Sequence, residues 1–163
     1  MELMVVIMLM GILAASVIPA MDNVRVMREG AARDDIARLL EITKARAMAS
    51  GEPKGLHVDI TEFTLGIVEL NSAGSLELMN DPLTGADRTL NISTTYPGVE
   101  ITDMMNGDGT SGTGIVWFDF ESTPHTRDTS GVFVALNNDP VEISLSSGQR
   151  VVVHAYSGMV ETP

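Results

Sequence analysis

The stretch ELMVVIMLMGILAASVIPAM, residues 2–21, dominates the first part of the chain. No charged residue interrupts the 19 positions from Leu3 to Met21. At about 1.5 Å per residue, a helix of that length spans roughly 28 Å, close to the hydrocarbon thickness of a bilayer. Because lipid offers the backbone no hydrogen bonds, a helix is the default form of such a segment. The sequence predicts a membrane-spanning helix over residues 1–21.

Two simpler interpretations explain this segment less well. A cleaved secretory signal has a basic region before its apolar run, but the first basic residue here is Arg25. An ordinary anchor explains the length but not Glu2, an acid placed directly before the run. Glu2 lies either in the headgroup region, where a carboxylate costs little, or inside the apolar layer, where it needs a partner.

The spacing of three residues resembles the N-terminal signature of type IV pilins and type II secretion pseudopilins. In that family a glutamate is followed by an apolar helix with a glycine nine positions on and a proline 17 positions on; these positions are Glu2, Gly11 and Pro19 here. The resemblance implies that these residues serve filament assembly, and that Glu2 pairs with the amino terminus of a neighbouring subunit. It also implies a single-pass protein of the bacterial inner membrane, with its C-terminal domain on the periplasmic side.

The same resemblance names the expected partners. They are other pilin or pseudopilin subunits, membrane lipid, the prepilin peptidase and methyltransferase, and the inner-membrane assembly platform. Family members begin with an N-methylated phenylalanine after a short basic leader, whereas Met1 here stands directly before Glu2. We therefore expect the reading frame to continue upstream of Met1 and to encode such a leader.

Residues 22–50 are predicted to continue the helix as an amphipathic segment. Apolar and small residues recur at intervals of three and four positions, which is the spacing of one helical face. They are Ala32, Ile36, Leu39 or Leu40, Thr43 and Ala47. The run from Ser50 to Pro53 is predicted to end the helix, with Gly51 at the position just past its terminus.

Residues 51–163 change to short runs of strand-forming residues separated by turn formers. The predicted strands are 55–60, 63–70, 75–79, 88–93, 98–102, 114–120, 131–136, 141–146, 149–156 and 158–161. This pattern indicates an α+β pilin fold, in which a long N-terminal helix packs on two small antiparallel sheets. The layout is similar to that of minor pseudopilins of the GspH/FimT type, notably in GIVWFDF and EISLSSGQRVVVHAYSGMVE.

The distribution of charge along the chain helps to choose between two possible functions. Residues 1–54 hold seven basic and seven acidic residues, whereas the remainder holds three basic and 15 acidic residues. The main hypothesis is a structural subunit, a minor pseudopilin or pilin, that assembles through its N-terminal helix into a type II secretion pseudopilus or a type IV pilus. The alternative is a pilus-tip module that binds a surface or DNA. DNA is the less favoured ligand, because phosphate binding depends on Lys and Arg.

No motif in the chain predicts an enzyme or a cofactor. His57, His125 and His154 lie far apart, without metal-ligand spacing; two fall in predicted strands and His125 in a predicted loop. The stretch NGDGTSGTG, residues 106–114, has the middle of a calcium loop, but Met104 and Ile115 occupy its first and last ligand positions. A flexible polar turn is the favoured interpretation of residues 103–110.

Overall fold

The computed structural model describes residues 2–80, 85, 87, 89–136 and 139–163. Helix α1 runs without interruption over Glu2–Ser50. Within it, the side chains at positions 2, 3, 5, 9 and 11–22 lie outside the description. In the part of the chain that is described, no helix has both the length and the apolar character required to cross a membrane.

The C-terminal half of α1 buries the face that its spacing predicts. Ile36 and Leu40 are fully buried, and Leu39 is nearly so. The Thr43 hydroxyl is also buried and donates to the Leu39 carbonyl oxygen (2.7 Å), which satisfies it within the helix. The helix ends as predicted, because Gly51 takes a φ of +69° and its N–H donates to the Ala47 carbonyl (3.0 Å).

Among the described residues, the larger of two antiparallel sheets has seven strands. Strand β1 lies at its centre and pairs with β2 on one side and with β6 on the other. The spatial order is β3-β2-β1-β6-β7-β8, and β4 pairs separately with β2. The strands are β1 Lys54–Asp59, β2 Thr64–Leu70, β3 Leu76–Leu78, β4 Thr89–Asn91, β6 Gly114–Phe118, β7 Pro124–Arg127 and β8 Phe133–Ala135.

The smaller sheet has four strands in the order β11-β10-β9-β5. They are β5 Ile101–Met105, β9 Val141–Leu145, β10 Arg150–Val153 and β11 Val160–Glu161. A short helix, α2 Ile92–Thr95, follows β4. One apolar core joins α1 to the inner faces of both sheets, through residues such as Ile36, Phe118 and Ile143. The structure therefore confirms the predicted α+β architecture of a long helix on two antiparallel sheets.

The outer face of the larger sheet has its own small apolar layer. The indole of Trp117, on β6, is 1% exposed and meets the ring of Phe133, on β8, edge to face at 5.3 Å. A Cβ at Gly55, on β1, would come within 2.7 Å of Ile115 and 3.0 Å of Trp117. Because glycine has no Cβ, the indole of Trp117 can pack directly against the backbone of Gly55.

Several predicted strand limits are wrong, and each has a local cause. Residues 124–127 form β7, so His125 lies in a strand and not in a loop; Pro124 is its first residue, where a missing N–H is tolerated. The strand predicted over 88–93 ends at Asn91, whose side chain accepts from the Thr94 N–H (2.9 Å) and caps α2. His154 lies just beyond β10 and not within a strand.

The strand predicted over 98–102 begins later, at Ile101, and extends to Met105. Gly98 takes a φ of +86°, and the N–H of Val99 donates to the Tyr96 carbonyl (3.0 Å). These features make residues 96–99 a turn. Strand β5 therefore begins only after this turn.

Deletion of residues 1–21 is expected to leave a folded domain. Among the described side chains, the buried residues of α1 begin at Glu29 and end at Ala47, so the deletion removes no described core residue. Circular dichroism and a cooperative thermal transition would check this. Deletion of residues 1–41, which also removes Ile36 and Leu40, is the control and should not fold. An unfolded product of the shorter deletion would contradict the helix–sheet packing as the basis of stability.

Candidate functional site

The structure places Glu2, Gly11 and Pro19 on one continuous helix, α1. Their side chains are not among those that the structure describes, so their roles in filament assembly stay predictions. The same helix has described side chains on both sides of positions 11–22.

The N-terminal half of α1 presents apolar side chains that the rest of the described chain does not cover. Their exposed fractions are largest for Met4 (81%) and Met27 (75%). The set also includes Val6, Ile7, Met8, Met10, Val24 and Val26. Scattered exposed apolar residues are ordinary, but a series of them along one helix marks a surface that contacts another protein or lipid. We call these eight residues the apolar helix surface.

A buried carboxylate marks the point where α1 enters the domain. Glu29 is fully buried, and its Oε1 accepts from Arg25 Nε (3.2 Å) and from the Ser146 hydroxyl (3.1 Å). Its Oε2 has no hydrogen-bond partner among the described residues. Ser146 follows β9, so this contact ties the helix to the smaller sheet. Glu29 is a functional residue that the predicted apolar face did not include, although it lies three positions before Ala32 and therefore on the buried face.

A second contact holds the same turn of the helix to the β domain. The Arg28 guanidinium donates through Nη1 to the carbonyl oxygen of Pro97 (3.1 Å), which lies in the turn before β5. Together with the Glu29–Ser146 bond, it attaches α1 to two neighbouring segments of the β domain, since the Ser146 N–H donates to the carbonyl of Glu100, three residues after Pro97 (3.0 Å). The direction in which the apolar helix surface leaves the domain is therefore set by side-chain bonds as well as by packing.

A tyrosine–aspartate pair lies further along the helix. The Tyr96 hydroxyl donates to Asp35 Oδ2, and Asp35 Oδ1 accepts from Arg38 (2.9 Å). Burial and the bond to Asp35 raise the pKa of Tyr96 to about 12. Burial alone would raise the pKa of the Asp35 carboxyl, but the bonds from Tyr96 and Arg38 hold it below its usual value. With Asp35 ionised and Tyr96 neutral, the hydrogen bond between them joins α1 to the segment after α2.

Stability should depend on this pair at alkaline pH. Because the pKa of Tyr96 is higher in the folded chain than its ordinary value of 10.0, its contribution is complete below pH 10.0 and is lost as pH rises towards about 12. Tyr96→Phe is therefore expected to flatten the alkaline fall in the free energy of unfolding, measured by urea titration from about pH 9 upward. Tyr156→Phe, which removes the other tyrosine hydroxyl, is the matched control. An equal alkaline fall in wild type and Tyr96→Phe would contradict the assignment.

A buried lysine secures the junction between α1 and the larger sheet. Lys54 is 4% exposed and forms ion pairs with Glu69 (2.8 Å) and Glu52 (3.1 Å). Burial disfavours the charged ammonium, yet the bonds to Glu69 and Glu52 raise the pKa of Lys54 above its usual value. Removal of one partner from such a buried pair is costly, because it leaves a charge unsatisfied. Lys54 is therefore part of the structure of the junction.

The residues considered for metals have local partners in the structure. Asp108 Oδ1 accepts from the Thr110 N–H (2.9 Å) and hydroxyl (2.6 Å), and Met104 is buried in the core. These bonds close the turn between β5 and β6, as expected of a polar turn. His154 Nε2 pairs with Glu161 (2.8 Å), and His125 Nδ1 contacts the Thr123 carbonyl oxygen (2.9 Å). Within the described residues, no group of three or more metal-binding side chains comes together.

The architecture and the helix surface together define a pilin-like α+β fold. The solved structures that resemble it include two of the minor pseudopilin EpsH from the type 2 secretion system of Vibrio cholerae. The first has a TM-score of 0.58 at 12% sequence identity and covers 83% of this chain and 94% of the EpsH chain. The second has a TM-score of 0.56, also at 12% identity, with coverages of 80% and 92%. The chain therefore has the fold of the minor pseudopilins.

Comparison by sequence finds no relative at a significant level. No protein-family model matches the chain, and no curated protein sequence does so.

Proposed function

We propose that this protein is a structural subunit, a minor pseudopilin or pilin, which assembles through α1 into a type II secretion pseudopilus or a type IV pilus. One observation carries the proposal: a single helix is packed on its own domain from Glu29 to Ala47 and presents exposed apolar side chains before Glu29. Such a surface requires a partner outside the chain. The pilin-like fold and the positions of Glu2, Gly11 and Pro19 support helices of neighbouring subunits as that partner.

The membrane supplies a second partner in this proposal. The uncharged run from Leu3 to Met21 supports an anchor in the bacterial inner membrane, with residues 51–163 on the periplasmic side. The subunit waits there before assembly and enters the filament from the bilayer. Its proposed processing partners are the prepilin peptidase and methyltransferase, and the inner-membrane platform is its proposed assembly partner. The sequence motif supports these last assignments.

The alternative of a pilus-tip module that binds DNA has less support. The domain after residue 54 carries three basic and 15 acidic residues, and an acidic surface repels phosphates. A protein or cell-surface ligand remains compatible with an acidic domain. The filament role is preferred because it uses the apolar helix surface directly.

A photoreactive amino acid at position 27, introduced into the chromosomal gene, tests the filament role. Met27 is the most exposed residue of the surface close to the domain. We expect cross-links to other subunits that carry the same N-terminal motif. The control places the photoreactive group at Ser72, an exposed position in the turn between β2 and β3. Cross-links of equal yield from both positions, or none from position 27, would count against assembly through α1.

A further inference from the structure

Strand β8 is an open edge of a kind that natural sheets usually protect. Five strands lie at the edges of the two sheets in the described part of the chain: β3, β4, β8, β5 and β11. Charged side chains on edge strands discourage unwanted pairing, and three of the five carry an acid: Glu77 on β3, Asp103 on β5 and Glu161 on β11. Strands β4 and β8 carry none. Strand β4 directly follows Arg88 in the sequence and leads into α2, whereas β8 lies in residues 129–136, TSGVFVAL, which are uncharged throughout.

The backbone of β8 is arranged to accept another strand. The Asp128 N–H donates to the Val132 carbonyl (3.0 Å), and the Leu136 N–H donates to the Pro124 carbonyl (3.4 Å). Because bonded positions alternate along an antiparallel ladder, Val132, Val134 and Leu136 face β7. Phe133 and Ala135 therefore direct their N–H and C=O groups away from β7, towards the open edge.

The side chains at this edge are apolar and partly uncovered. Val132 is 57% exposed and Val134 is 42% exposed, while Leu136 is buried beside Gly107. The contact of Phe133 with Trp117 holds the strand in place. The edge is therefore a fixed template, with two exposed valines next to two peptide groups that have no backbone partner among the described residues.

Charge decides what kind of strand the edge fits. Asp128 and Asp139 flank the uncharged segment, and the carboxyl of Asp128 has a lowered pKa because Ser130 and the backbone donate to it. Arg127 lies over the ring of Phe133 (5.9 Å), and its guanidinium already donates to the carbonyls of Gly131 (3.1 Å) and Gly74 (3.2 Å). A second copy of the chain would bring a further charge of −12 to the contact. A foreign strand with basic flanks is complementary.

We propose that β8 is a docking site for an extended segment of another protein, with an uncharged centre and Lys or Arg on its flanks. The segment adds a strand to the seven-stranded sheet by bonding to the backbone of Phe133 and Ala135 and by packing on Val132 and Val134. The site lies on the β domain and is separate from the apolar helix surface. This inference therefore does not depend on the filament role, and either can fail alone.

A short synthetic peptide of alternating Thr and Val with a Lys at each end is the probe. The full chain in detergent should bind it, and hydrogen exchange should slow at the amides of Phe133 and Ala135. Replacing the terminal Lys residues of the peptide by Glu should weaken binding, as opposite charges are lost. The absence of binding, or binding without protection of these two amides, would overturn the proposal.

Two variants make the test specific to the edge. Ala135→Pro removes an N–H that faces the open edge and leaves the ladder to β7 intact, as edge strands tolerate. It should weaken peptide binding by about tenfold, the size expected for one backbone bond and its geometry. Phe120, in the turn after β6, is 59% exposed, which is close to the 57% of Val132. The control variant Phe120→Lys should leave peptide binding unchanged. Equal binding by Ala135→Pro and wild type would refute the site, and a dimer abolished by Ala135→Pro would show that the occupant is a second copy.

Discussion

Replacement of Glu2 by alanine is expected to abolish or strongly reduce incorporation of the chain into filaments, while membrane insertion and folding stay intact. Glu2 lies at the start of α1, remote in sequence from the buried contacts between Glu29 and Ala47. In a bundle of apolar helices an unpaired carboxylate costs about 2.5–3.5 kcal/mol on insertion scales. A cation from the adjacent subunit offsets that cost. Sliding one helix along another would break the pair, so the pair also sets the axial register.

The measurement is cross-linking to neighbouring subunits, made with the variant in the chromosomal gene. Glu2→Gln keeps the size of the side chain and removes only the charge, so it should fail in the same way. Leu3→Ala changes the adjacent apolar position and is the control for helix packing. If the alanine variant is incorporated normally, packing alone sets the register, and the charge-pair mechanism has to be dropped.

Truncation of Leu40 to alanine is expected to have the largest effect on stability among substitutions in α1. Leu40 is fully buried between the helix and the sheets. Buried Leu→Ala substitutions cost about 2–5 kcal/mol, because contacts are lost and a cavity remains. Since small domains are stable by only about 5–15 kcal/mol, a large share of the free energy of unfolding would be lost. Urea denaturation of the full chain measures this change.

Met27→Ala on the same helix is the matched comparison. Met27 is 75% exposed, so its truncation should change the free energy of unfolding by no more than about 0.5 kcal/mol. It should instead reduce cross-linking to neighbouring subunits, since Met27 belongs to the apolar helix surface. The two substitutions thus separate folding from assembly. A large loss of stability in Met27→Ala, or none in Leu40→Ala, would contradict the division of α1 at Glu29.

The buried face of α1 could be predicted because helix spacing is a local property. Ala32, Ile36 and Leu40 follow one another at intervals of four, and all three are fully buried. The end of the helix could be predicted for the same reason, because Gly51 and Pro53 themselves determine the backbone conformation there. The two-sheet architecture was predictable from many short alternating runs.

Other features depend on contacts between distant parts of the chain. Strand β7 was missed because Pro124 is typical of a turn, and only its pairing with Phe118 on β6 makes it the start of a strand. The burial of Lys54 depends on Glu69, which lies opposite it on β2. Sequence alone does not show that β8 ends the sheet, since strand order is set by tertiary pairing. Glu29 differs, because its position on the buried face was readable from its spacing to Ala32.

The way α1 is embedded in its domain has a mechanical consequence. The buried part, from Glu29 to Ala47, extends for about 27 Å at 1.5 Å per residue, and it contacts strands of both sheets along this length. A pull on the N-terminal half is directed along the helix axis and therefore parallel to this interface. The load acts in shear, so interlocked side chains over about five turns must yield together, whereas a sideways force would peel them apart one turn at a time. The domain is thus expected to resist axial tension far better than lateral tension.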